Sequence, residues 1–176
     1  MPTARRSRLI AAPAEELWAV IRDPQHLPRW WPRVTRIEDV EGDAFTEVMR
    51  TSRGKLVRAD FKFVRAEETA GALTWEQQVE GTPFARVLKS AETAVRLEPV
   101  AHPAPPASGG HEDSAWRPAA EPARPGTTQN AAATEVTIEL RQTLNGFLAR
   151  LGGYMVSRAA RATLEEALDG LERISG

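Results

Sequence analysis

Three features of this 176-residue chain predict an α+β domain. From Val34 to Leu97, and again from Glu135 to Arg141, stretches recur with apolar side chains at every second position, the period of strands with one wet face. Beyond Asn145 the period lengthens to that of a helix and holds to Ile174. Two short helical patterns also precede the strands, so helices collect at the ends of an antiparallel meander, and packing them on one face of the sheet buries both apolar surfaces.

The opening residues, with Arg5, Arg6 and Arg8, read as a strand with a solvated edge rather than an anion site. Ala12-Pro13-Ala14-Glu15-Glu16 then signals a helix: proline suits the first helical position, and two glutamates meet the positive end of the macrodipole. Ala14, Leu17, Trp18 and Ile21 follow at helical spacing. Asp23-Pro24 restarts the pattern as a cap and a first-turn proline. Leu27, Trp30 and Trp31 share the face of this second helix, which Pro32 stops.

Strands are predicted at 34–40 and 45–50, separated by a turn at Glu41-Gly42-Asp43. After Ser52-Arg53-Gly54, Val57, Ala59, Phe61 and Phe63 alternate with Arg58, Asp60 and Lys62. Leu73, Trp75, Gln77 and Val79 form the next inner face. A run from Phe84 to Leu97 then places Val87, Ala91, Val95 and Leu97 beside Lys89 and Thr93. Val136, Ile138 and Leu140 mark the last strand, and a helix over 145–174 ends the chain. Gly152-Gly153 interrupts that helix at about 1 kcal/mol each relative to alanine, so a bend or a close approach is expected there. Residues 99–130 hold 7 of the 13 prolines and no apolar periodicity; they are predicted to be a disordered insertion in a single domain spanning 1–176.

Composition narrows the function. There is no cysteine, which removes disulfides, thiolate nucleophiles and Cys-based zinc sites. The 23 basic and 24 acidic residues leave a net charge of −1, without the basic footprint of a broad nucleic-acid surface. No apolar run is long enough to cross a membrane, and Leu9-Ile10-Ala11-Ala12-Pro13 is too short for a signal-peptide core, so a cytoplasmic protein is expected. Arginine outnumbers lysine 20 to 3, an associational sign of a GC-rich, bacterial genome. His26, His102 and His111 have no metal-ligand spacing, and no cofactor motif is present.

The stretch from Ala12 to Pro24, followed by Leu27-Pro28-Arg29-Trp30-Trp31-Pro32-Arg33-Val34, resembles the opening of the polyketide cyclase/dehydrase branch of the START-type helix-grip (SRPBCC) superfamily. The order of the remaining elements agrees with it. The resemblance implies a curved seven-stranded antiparallel sheet wrapped around the long C-terminal helix, with a cavity between them for small apolar molecules such as lipids, polyketides or isoprenoids. It supplies no catalytic triad that maps position by position.

On the predicted inner faces, Trp30, Trp31, Met49, Phe61, Phe63 and Trp75 would wall such a cavity, with Tyr154 from the last helix and Gln77 and Lys89 orienting polar groups. Each aromatic taken singly is more simply core. Lys89 has three placements open to it: paired with Glu47 or Gln77, clamping a ligand, or snorkelling to water at a strand end, the last being the ordinary one. Binding of a small hydrophobic or aromatic ligand is the leading expectation. A cyclase or dehydratase, with Glu47, Lys89 and Arg158 as candidate acid–base groups, is the second. A protein-interaction module, as in the co-chaperone branch, is the third.

Overall fold

The computed structural model describes residues 3–100, 132–146 and 153–176, with side chains from 156 onward in the last stretch. Strand β1 (Thr3–Ile10) is followed by helix α1 (Ala14–Arg22), a 3-10 turn at Pro24–His26 and helix α2 (Leu27–Trp30). Strands β2 (Val34–Glu41), β3 (Ala44–Arg50), β4 (Leu56–Glu67), β5 (Ala72–Gln77), β6 (Leu88–Val100) and β7 (Ala133–Leu144) form the meander, and helix α3 (Gly153–Ser175) closes the chain. All seven strands lie in one antiparallel sheet in the order β1-β7-β6-β5-β4-β3-β2, so the first strand pairs with the last and sets the two edges at β1 and β2.

Pro13 stands at the N-cap of α1, one residue before the first helical position expected of it and without a side-chain cap bond, and Leu17, Trp18 and Ile21 of that helix are buried. Asp23 does cap the next turn, its carboxylate accepting from the backbone N–H of Gln25 at 2.9 Å. Helix α3 lies against β1, β7 and α2, burying Ala160, Leu164, Ala167, Leu168 and Leu171. Arg8 on β1 ties its outer side by contacts to Glu165 at 3.2 Å, Glu172 at 3.1 Å and Asp169. On the convex face, Arg58 pairs with Glu38 and Asp39, and Arg141 with Glu92 and Glu139, so these guanidinium groups are matched by neighbouring carboxylates.

Several boundaries differ from expectation: β5 ends at Gln77, short of Val79, and Trp31 follows α2 in an extended conformation. Asn145 and Gly146 are not helical: the Asn145 N–H donates to the Val87 carbonyl at 2.8 Å and Gly146 has φ +57°. The described part of the last helix runs from Gly153 to Ser175, so the interruption expected at Gly152-Gly153 falls at the limit of the described residues. Residues 83–86 form a 3-10 turn led by Pro83, so the sixth strand begins at Leu88 instead of Phe84. Pro99 and Val100 belong to β6, paired with Thr134 and Ala133, although the proline-rich insertion is predicted to begin at 99. Pro99 is tolerated because Leu97 N–H, two residues earlier, already makes the last bond towards β5, to Gly71; the proline's missing donor points past the end of that strand. Residues 101–131 and 147–152, and with them most of that insertion and Gly152, lie outside the described residues.

Within the described part of α3, Gly170 makes a close approach. A Cβ on Gly170 would stand 2.4 Å from the carbonyl oxygen of Trp30, so only glycine lets α2 and α3 meet there. The contact seats Trp30 in the core, edge-on to Trp31 at 5.3 Å and Trp75 at 6.5 Å.

Candidate functional site

Between the inner face of the sheet and α3 is a cavity of about 330 Å³. The strand register brings its wall together. Trp75 lies opposite Thr93, and Thr93 opposite Leu140, in one row across β5, β6 and β7; Phe61 opposite Gln77 and Ala91 opposite Gln142 continue the wall. Strand β3 adds Glu47 and Met49, and Leu88 and Phe84 close one end. Helix α3 roofs it with Val156, Ala159, Ala160 and Thr163, an i, i+3, i+4, i+7 set of small side chains that leaves room beneath. Trp31, Pro32 and Arg33 enter from the turn after α2. The lining is mainly apolar with a few placed polar groups, the usual character of a small-molecule site.

Of the residues expected at this wall, Trp31, Met49, Phe61, Trp75 and Gln77 line it, as does Glu47. Trp30 and Phe63 do not. Trp30 is 2% exposed beneath α3, and Phe63, two residues along β4 from Phe61, packs on Phe45 at 5.0 Å and Trp75 at 6.3 Å, near the α1 end. Lys89 is exposed and outside the cavity. Leu88 pairs with Leu144 and Ser90 with Thr143, so Lys89 is the extra residue of a β-bulge and the inward phase passes to Leu88. Arg158 is exposed as well, since it falls off the 156, 159, 160, 163 stripe. The Tyr154 side chain lies outside the described residues. Gln142 was legible as the next inward position after Leu140, and Val156 to Thr163 as a small-residue stripe; Leu88 was hidden by the bulge.

Glu47 is 1% exposed, its Oε1 has no hydrogen-bond partner, and burial pushes its carboxyl up to about 8. Its cross-strand neighbours are Ile37 and Ala59, neither of which can donate a side-chain bond. Gln77 Nε2 is likewise buried and unpartnered. An unmade hydrogen bond at a buried polar group costs about 1–3 kcal/mol, so both groups favour a partner that would enter the cavity. Among the described residues no cluster of three His, Cys, Asp or Glu could hold a metal ion, and no helix is long and apolar enough to cross a membrane.

A seven-stranded antiparallel sheet gripping a C-terminal helix over an apolar cavity defines a START-like helix-grip protein. The whole chain, residues 1–176, matches the family described as polyketide cyclase/dehydrase and lipid transport, and it belongs to that family. Among solved structures, the START superfamily protein from Mycobacterium smegmatis is similar at TM-score 0.67 with 14% identity, over 98% of this chain and 96% of that one. The Zhui aromatase/cyclase from Streptomyces sp. R1128 is similar at 0.66 with 11% identity, over 98% and 92%. The di-domain aromatase/cyclase BexL of the BE-7585A biosynthetic pathway matches at 0.67 with 19% identity over 98% of this chain, which spans 46% of BexL. At these identities the likeness is one of fold. No curated protein sequence matches the chain.

Proposed function

We propose that the protein binds a small hydrophobic or aromatic molecule in the cavity beneath α3, as a carrier or sensor. The observation that carries this reading is the cavity itself: about 330 Å³, walled by Trp31, Met49, Phe61 and Trp75 and roofed by small side chains, where a solid core would have placed larger ones. Membership of a family whose description includes lipid transport agrees with it. Native mass spectrometry of protein purified gently from its own host tests it. An adduct of a few hundred daltons, lost in a variant with a filled cavity, is the expected result. An adduct retained by that variant would place the ligand elsewhere.

A cyclase or dehydratase reaction is the second reading, favoured by Glu47. A carboxyl held near 8 keeps its proton at neutral pH and is suited to general acid work. It ranks below binding because Lys89 and Arg158, the other acid–base candidates, stand outside the cavity.

A further inference from the structure

Among the described residues Glu47 is the sole carboxyl in the lining, and none of them supplies a partner to its Oε1. Opposite it β2 presents Ile37 and β4 presents Ala59. From β5 come Trp75 and Gln77, and from α3 Val156, Ala159, Ala160 and Thr163, none of them titratable. Arg33, at the turn after α2, is the one cationic side chain among the described lining residues; it is exposed and makes no bond to Glu47 Oε1. Arg58 and Asp60 point to the convex face, where they meet Asp39 and Thr46. Glu47 Oε1 therefore faces an aromatic space with an unfilled bonding position.

Resting on the ligand-binding reading above, we infer that the ligand carries a protonated amine, held by Glu47 with its apolar body against Trp31, Phe61 and Trp75. Three chemistries can be compared at this site. A wholly apolar ligand would leave Oε1 and Gln77 Nε2 unpaired in a still drier environment. An anionic ligand would have Glu47 only as a neutral donor, could not pair with its ionised form, and would meet the electron-rich ring faces. An ammonium group answers both: it supplies the missing countercharge, and ring faces attract cations. Where the free protein holds Glu47 protonated, binding breaks the carboxyl O–H bond. That proton passes to the buffer, the ligand keeps its own, and an ammonium–carboxylate pair remains.

Isothermal titration of the full chain with naphthylmethylamine, naphthylmethanol and naphthoate compares cation, neutral and anion on one ring system. The amine is expected to bind roughly ten-fold tighter than the alcohol or better, with naphthoate weakest. Its affinity should rise from about pH 6 to about pH 8, with up to one proton released per ligand near neutrality in buffers of different ionisation enthalpy. Glu47→Gln, which keeps shape and removes the charge, should erase both the preference and the proton release. Amine and alcohol binding equally, or an amine preference that survives in Glu47→Gln, overturns the inference while leaving the cavity reading intact. An alcohol that binds best and tightens as pH falls would show Glu47 acting as a neutral donor, and also overturns it. If no probe binds, both readings fall.

Discussion

Glu47 sets the balance between binding and stability at the level of one residue. Its carboxyl titrates near 8 when folded, against an ordinary value of 4.5, because burial disfavours the charged form. A folded-state value raised in this way makes the carboxyl's contribution fully present below about pH 4.5 and loses it as pH rises through about 8. At 1.4 kcal/mol per pH unit, the loss across that window approaches about 5 kcal/mol. Glu47→Gln removes the ionisation and keeps the shape. The variant is expected to match the parent near pH 5 and to exceed it by several kcal/mol near pH 9, read from urea unfolding. Parallel loss of stability in both proteins would show that this carboxyl is not the group responsible. The inward placement of Glu47 was legible from its position between Phe45 and Met49 on a strand of period two. The exposure of Lys89 was the ordinary expectation for a lysine at a strand end, but its cause was not legible, because a single bulged residue inverts the phase of everything before it and leaves no mark in composition.

At the level of the elements, α3 is held by a backbone contact and by a charged seam. The ideal Cβ of Gly170→Ala would lie 2.4 Å from the Trp30 carbonyl oxygen and 2.7 Å from its Cα, and neither backbone atom can rotate away as a flexible side chain would. Alanine favours a helix by about 1 kcal/mol over glycine. The overlap should reverse that sign, with a net loss of about 1–3 kcal/mol in urea unfolding. A gain in stability would mean that α2 does not seat on α3 in this way. The seam behaves differently. Arg8 is about a quarter exposed and meets three carboxylates of α3, so Arg8→Ala should lower stability by about 1 kcal/mol or less. That difference should fade between low salt and 1 M salt, at which the Debye length is about 3 Å. The sequence marked Gly152-Gly153 for a bend or a close approach, and nothing in it marked Gly170. Which glycine faces another backbone is decided by the partner element, and the local pattern of α3 holds no information about where α2 ends.

For the whole molecule, the order of elements was legible because periodicity changes are local: two capped helices, strands of period two, then an amphipathic helix. The cavity was less so. It exists because Phe61–Gln77, Trp75–Thr93–Leu140 and Ala91–Gln142 fall into facing rows, and those rows follow from register and coiling across the sheet, not from any one strand. Its emptiness further depends on the small residues of α3 lying above these rows. Filling this space therefore tests the architecture directly. Ala91 is 9% exposed on β6 and borders the cavity opposite Gln142, and phenylalanine is a favourable strand residue. In Ala91→Phe the ring should occupy space otherwise left to ligand. Binding of naphthylmethanol should fall by about ten-fold or more, while thermal stability holds or rises, since filling an apolar void commonly adds about 0.5–2 kcal/mol. A loss of about 1–3 kcal/mol with binding unchanged would be the signature of overpacking in a solid interior. The ligand would then have to sit outside the grip of the sheet.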